Sequence, residues 1–274
     1  MTDITKFKAI FKGLEIAYGT YRIESSRGDG KQAGKAVVVR KQPTDDLWAK
    51  HLEGIEPSLG IIPIREDNSC IWGCIDIDQY PLDHTGLVKK VRSLGLPMVV
   101  CRSKSGGAHV FLFVKEPIPA ANMQRFLKAG AALLGEAGRE IFPKQSEILV
   151  DRGDTGNFLN LPYFGGDKTL RYAIKDDGSA ATLEEFYALY QQWVQGPDLQ
   201  FPEEPKEPEH PIKDGPPCLQ ALCSQGVPEG TRNNALFNIG IYLKKVIPIH
   251  WDDALVAHNM KYVIPPLPNN EVQI

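Results

Sequence analysis

The sequence predicts an α+β fold: a largely antiparallel sheet flanked by helices, followed by a small all-α region. Three observations predict it. Through the first two thirds of the chain, short β-branched and aromatic runs alternate with longer segments of helical periodicity. Two of those runs, 97–103 and 108–114, are joined by a short Ser-Gly-Gly turn and read as an antiparallel pair. Beyond a Pro/Glu-rich stretch the pattern is helical only.

In chain order, residues 1–13 read as a short amphipathic helix with Lys6, Lys8 and Lys12, lacking the apolar run of a signal peptide. A strand at 35–40 precedes a helix from Thr44, whose Asp45 and Asp46 suit its positive end. Strands follow at 59–64 and 70–77, then a helix over 83–94 closed by Gly95 and Pro97. After the strand pair an Ala-rich helix spans 120–137. Short strands are expected at 148–150, 158–161 and 170–174. A helix over 182–193 opens with Thr182 and Glu185 at capping-box spacing. In 197–216, Pro197, Pro202, Pro205, Pro208 and Pro211 interleave with Glu203, Glu204, Glu207 and Glu209, a composition that cannot build a core. The chain therefore divides into 1–196, a linker at 197–216, and a helical unit at 217–274. Helices are expected there at 218–224, 231–245 and 250–261, with Thr231 placed to N-cap the second. The residues from Pro265 to Val272 look like the start of another element, so a longer parent protein is expected.

A net charge of -3 carries no global basic signature, so any nucleic-acid contact must come from a local patch or a groove that also holds cations. The five cysteines lack zinc-site spacing, and an odd number argues against a disulfide framework. They read as reduced thiols of a cytoplasmic protein. No apolar run approaches the length of a membrane span.

Three segments carry chemistry. In Cys70-Ile71-Trp72-Gly73-Cys74-Ile75-Asp76-Ile77-Asp78, a buried strand would place both aspartates on one face, roughly 6.6 Å apart at about 3.3 Å per residue. Two carboxylates there repel unless a cation lies between them, and oxygen ligands suit magnesium or manganese. The alternative is two solvent-facing aspartates at a strand end. The second segment is the turn Arg102-Ser103-Lys104-Ser105-Gly106-Gly107-Ala108-His109, which supplies positive charge, hydroxyls and a ring nitrogen suited to phosphate oxygens. Taken alone it would be an exposed basic hairpin. One helix after an Asp-x-Asp strand, it points to triphosphate binding. The third runs from Phe142-Pro143-Lys144-Gln145 through Leu149-Val150-Asp151 to Asn157-Phe158-Leu159-Asn160. Asp151 could complete a two-metal site or merely start a turn before Arg152-Gly153, and Asp154 and Glu147 compete for its role.

Over about 47–193 these segments resemble the archaeo-eukaryotic primase superfamily, particularly the primase-polymerase branch of phages, plasmids and conflict systems. Asp76 and Asp78 look like its first motif and Ser105-Gly106-Gly107-Ala108-His109 its second. Leu149-Val150-Asp151 with Asn157-Phe158 looks like its third. Residues 226–237 are similar to the helical domain that often follows such cores. The resemblance implies an RRM-like catalytic sheet and a DNA primase-polymerase. Asp76, Asp78 and Asp151 would hold two Mg2+ or Mn2+ ions. Ser103, Lys104, Ser105, Gly106, Gly107 and His109 would hold the nucleotide, with Arg102 and Lys144 as further phosphate or template contacts. The implied partners are a single-stranded DNA template, a primer, (d)NTPs and a replicative helicase, in DNA replication of a phage or mobile element. The chain departs from the pattern where relatives carry a basic residue after the third-motif Asn. Arg152, Lys168 or Arg171 would have to substitute. The rival readings are a metal-dependent glycosyltransferase, which shares Asp-x-Asp but not the His-bearing hairpin, a non-catalytic single-strand-binding module, and a metal-dependent nuclease.

Overall fold

The structure is a computed structural model that describes residues 3–26, 32–196, 199, 212, 215–247 and 251–272. Most of the linker expected at 197–216 and the start of the helix expected at 250 lie outside these residues. The chain forms two compact units, Met1–Gly130 with Gly138–Phe201, and Ala131–Ala137 with Pro202–Ile274.

The first unit contains two four-stranded antiparallel sheets. One has the order β2-β1-β3-β8, from β1 (Tyr18–Ser26), β2 (Gln32–Val39), β3 (Ser58–Ile61) and β8 (Leu159–Asn160). The other has the order β5-β6-β4-β7, from β4 (Ser69–Ile77), β5 (Met98–Arg102), β6 (Ala108–Pro119) and β7 (Glu140–Phe142). With α3 (His84–Ser93) after β4 and α4 (Ala120–Leu133) after β6, the second sheet has the β-α-β-β-α-β connectivity of an RRM-like fold. The α+β class read from the sequence is the class observed.

Register explains why β4 is apolar almost throughout. Trp72, Cys74 and Asp76 share one face, and their cross-strand partners are Phe113, Phe111 and His109 on β6. Beyond β6, Val99 and Cys101 of β5 continue the rows, and Phe142 and Glu140 of β7 close them on the other side. The apolar members of this face form the main core with Phe7, Phe11, Trp48, Tyr163 and Phe186. Helix α4 covers the opposite face so closely that a Cβ at Gly73 would stand 2.6 Å from Met123 Cγ. A strand buried on both faces reads as a continuous apolar run rather than an alternation.

His51, fully buried on α2 (Asp45–Glu53), ties three segments together. Its Nδ1 accepts from Leu59 N (3.1 Å) and its Nε2 lies 2.8 Å from the Pro162 carbonyl, so the proton sits on Nε2. Burial pushes its pKa down to about 3. Helix α5 (Leu183–Trp193) carries the Thr182/Glu185 capping box read from the sequence, and Asp83 caps α3 through Gly86 N.

Several expected elements differ. β1 was not anticipated, because Tyr18, Gly19, Thr20 and Tyr21 do not alternate cleanly, and Tyr18 and Tyr21 are both buried. β7 is too short for periodicity to reveal. Residues 148–150 are not a strand: Val150–Arg152 is a 3-10 turn that Gly153 terminates with φ 84. Around 170–174 only the isolated bridges Cys101↔Ala173 and Ile174↔Ala180 form. α4 ends at Leu133, short of 137, and Gly135 follows with φ 71.

In the second unit, α6 (Pro217–Gln225), α7 (Arg232–Val246), α8 (Trp251–Tyr262) and α9 (Asn269–Val272) enclose their own core, including Leu219, Leu236, Ile239, Leu243 and Leu255. The fully buried Asn259 amide donates to Leu267 O (2.8 Å) and accepts from Leu267 N (2.9 Å). Thr231 holds the N-cap position of α7 but makes no side-chain capping bond. Its hydroxyl donates backward to Pro228 O (3.0 Å). Among the described residues no helix is long and apolar enough to cross a membrane.

His51 sets an acid limit on stability. It is neutral when folded, whereas an unfolded imidazole takes up a proton near pH 6.5, so stability is lost as pH falls from about 6.5 toward 3. His51→Gln keeps one donor and one acceptor and does not titrate. It is expected to lose about 1–2 kcal/mol at pH 7.5 and to show a flatter stability difference between pH 7.5 and 5.5. Urea melts with equal pH slopes for both proteins would contradict this role.

Candidate active site

At the end of the core-facing side of the second sheet, the apolar rows give way to one polar row: Cys101, His109, Asp76 and Glu140 on β5, β6, β4 and β7. Its two middle members, Asp76 and His109, face a pocket of about 490 Å³. Asp76, Asp78, Tyr80 and His109 line one side with the turn residues Arg102, Ser103, Lys104 and Ser105. Phe158, Asn160, Pro162 and Arg171 line another.

Asp76 is enclosed by this arrangement, and its Oδ1 is buried without a hydrogen-bond partner. Burial, then the negative charges of Asp78 and Glu140, push its pKa up to about 7. His109 Nε2 lies 3.5 Å away, yet burial and the Arg171 charge bring the imidazole down to about 4. The contact therefore joins a neutral ring to a carboxyl that shares its charge with a proton; it is not an ion pair. Tyr80 donates its hydroxyl to Asp78 Oδ1 at 2.8 Å.

Arg171 is 7% exposed, and its Nη1 has no partner. Burial lowers its pKa to about 10. Its carbonyl accepts from Tyr163 N (2.8 Å), and Tyr163 is a buried non-glycine residue at φ 59. That left-handed backbone costs about 1–3 kcal/mol. It is held by the Tyr163 hydroxyl, which donates to Ala181 O (2.9 Å) and accepts from Ala173 N (3.1 Å). Lys104 Nζ sits 3.2 Å from the Tyr21 ring centroid, and burial followed by the Arg171 charge lowers its pKa to about 8. Ser103 Oγ is buried and unpaired.

The structure therefore gathers Asp76, Asp78, Arg102, Ser103, Lys104, Ser105 and His109 in one pocket. Other expected residues lie elsewhere. Gly106 and Gly107 are outside its lining. Gly106 takes φ 96 in the turn, and Gly107 lets the turn pack on β4, where a Cβ would stand 2.2 Å from Ile77 O. Lys144 is exposed and pairs with Glu140 at 2.8 Å. Asp151 is exposed in the 3-10 turn and does not line the pocket, because Gly153 curls the backbone where a strand was expected. Register sets Glu140 beside Asp76, but Glu140 too is exposed and outside the pocket lining. Of the three candidates for a substitute basic residue, Arg171 lines the pocket, whereas Arg152 and Lys168 do not.

Among the described residues no three His, Cys, Asp or Glu side chains stand at metal-binding spacing, and Glu140 is paired with Lys144. The donor chemistry still fits a hard divalent cation: oxygen ligands only, one of them a buried carboxylate oxygen with nothing to bind.

The family described as "TOTE conflict system, Archaeo-Eukaryotic Primase domain" matches residues 4–192. No curated protein matches the chain. The chain belongs to this archaeo-eukaryotic primase family, and the match covers the whole pocket.

The Asp76 proton makes two measurable demands. A cation taken up at this carboxyl would displace the proton, so Mn2+ affinity is expected to rise about tenfold between pH 6 and pH 8; a flat calorimetric profile would contradict a metal ligand at Asp76. A carboxyl whose folded pKa is raised costs stability as pH rises from about 4 through 7. Asp76→Asn is therefore expected to melt at least about 2 °C higher than wild type at pH 7.5 without metal, and a lower melting point would refute the burial cost.

Proposed function

We propose, from that membership and from the pocket, that the chain is a template-directed nucleotidyltransferase. It would add (d)NTPs to a 3′-hydroxyl on a single-stranded DNA template, as a primase-polymerase does. One observation carries the reading. Asp76 Oδ1, Ser103 Oγ, Asn160 Oδ1 and Arg171 Nη1 are all buried without partners, and all line one pocket. Orphaned buried polar atoms are costly, and a cluster of both signs fits a ligand that is anionic and arrives with cations.

In this reading Asp76 and Asp78 would hold one or two divalent ions, with Glu140 on the strand beside Asp76 as the third carboxylate. Bound there, such ions supply charge neutralisation for the triphosphate and acidify the attacking hydroxyl. The 3′-oxygen forms a bond to the α-phosphorus, the α–β bridging bond breaks, pyrophosphate leaves, and the hydroxyl proton passes to solvent. Arg171, Arg102 and Lys104 bind phosphate oxygens as cations, and Ser103 donates its hydroxyl. His109, neutral near pH 7, donates through Nε2 to a phosphate oxygen. An imidazole with a pKa of about 4 is a poor general base for a sugar hydroxyl. Glu140 would have to leave Lys144 to reach such an ion, which would free Lys144 for the nucleic-acid backbone. The family description favours a conflict system over replication as the setting. A glycosyltransferase would share the aspartates but has no use for so many phosphate donors.

The test is incorporation of labelled nucleotides on single-stranded DNA, with and without primer, in Mg2+ or Mn2+. Asp78→Ala and Glu140→Gln are expected to lower incorporation at least about 100-fold, whereas Asp151→Asn stays near wild type. Full activity of Glu140→Gln beside a silent Asp151→Asn would overturn the ligand set. No incorporation by the wild-type protein under any of these conditions would overturn the function.

A further inference from the structure

Phe158 lies across the first sheet in an unusual way. Gly19 and Gly60 are cross-strand partners on β1 and β3, so together they bare a patch of backbone two strands wide. A Cβ on Gly19 would fall 2.1 to 2.3 Å from Phe158 Cγ, Cδ1 and Cδ2, and one on Gly60 would fall 2.3 Å from Cδ2. The ring therefore lies over both glycines, where any side chain would displace it. Its backbone is anchored from the preceding residue. Asn157 N donates to Gln145 Oε1 (3.3 Å), and Gln145 Nε2 donates to Asn157 Oδ1 (2.6 Å). The ring is only half-buried, and it lines the same pocket as Lys104 and Arg171. Two residues on, and so on the same side of the strand, Asn160 presents its orphaned buried Oδ1 to that pocket. The sequence reading quoted Phe158 within a motif but gave it no part.

We infer that Phe158 is the platform on which the base of the incoming nucleotide stacks, with Asn160 Oδ1 accepting a hydrogen bond from the nucleoside. This rests on the triphosphate reading of the pocket and adds the nucleoside end of the same ligand. A flat aromatic face fixed from behind by backbone offers any base a stacking partner at little entropic cost, and it recognises no particular base. The platform would thus serve all four nucleotides equally, as a template-directed enzyme requires.

The test separates the base from the phosphates by calorimetric titration of the intact protein, in Mg2+, with ATP and with inorganic tripolyphosphate. Wild type is expected to bind ATP more tightly than tripolyphosphate. Phe158→Leu, which keeps an apolar cover on the glycines but has no π-face, is expected to bind ATP about tenfold more weakly and tripolyphosphate unchanged. Phe158→Trp is expected to retain ATP affinity. Wild-type ATP affinity in Phe158→Leu would overturn the platform and leave the triphosphate reading standing. Equal losses for both ligands would show a structural role for the ring and overturn the platform too. Failure of the wild-type protein to bind either ligand would overturn both readings.

Discussion

The first unit is organised around a carboxyl group held at the end of an apolar sheet, where burial and the charges of Asp78 and Glu140 outweigh those of Lys144 and Lys104. Asp76 occupies the last core-facing position of a strand whose earlier positions on that face are Trp72 and Cys74. Its neighbours in the row do not relieve it. His109 is kept neutral, Cys101 is a fully buried thiol, and Glu140 adds negative charge. An isolated charge in such a place is strongly disfavoured, so the site must take either a proton or a cation. The raised pKa shows the proton solution, and the oxygen-only donor set fits the metal solution. Stability is given up at the point where chemistry is needed, a pattern common at functional sites.

The pocket is a product of two sheets that contribute opposite chemistry. The RRM-like sheet brings Asp76 and Asp78 at the end of β4 and the donors of the β5–β6 turn. The other sheet brings Phe158 and Asn160 at β8, with Arg171 on the loop behind. What aligns them is a small set of buried polar links. His51 joins helix α2 to Leu59 on β3 and to Pro162 just after β8. Tyr163 accepts a left-handed backbone conformation so that its amide can fix the Arg171 carbonyl. The Tyr21 ring under Lys104 ties the first sheet to the nucleotide turn. These are long-range contacts, and they explain why so much of the pocket wall comes from outside the recognisable motifs.

That division also sets what could be read from the sequence. Asp76, Asp78 and the turn through His109 were legible because strand periodicity and a short turn bring them together locally. The Thr182/Glu185 box and the separate helical unit were legible for the same reason. Glu140 was not, since a three-residue strand following Gly135 and Gly138 carries no period, and only register with β4 reveals its place. The strand expected before Asp151 did not form: an aspartate after Ile148, Leu149 and Val150 mimics the end of the Asp76 strand, whereas Gly153 bends that segment into a 3-10 turn. Arg171 was one of three basic candidates and Phe158 lay within a motif, but the sequence could not single out the part of either. One is defined by its burial without a partner, the other by two glycines far away in sequence.

The most direct measurement is the number of Mn2+ ions bound per chain, read by electron paramagnetic resonance in the presence of a non-hydrolysable nucleoside triphosphate. The account predicts tight Mn2+ binding that is lost in Asp76→Asn, weakened in Glu140→Gln and retained in Asp151→Asn. Tight binding that survives in Asp76→Asn, or that depends on Asp151 and ignores Glu140, would contradict a metal centre built on the row formed by β6, β4 and β7.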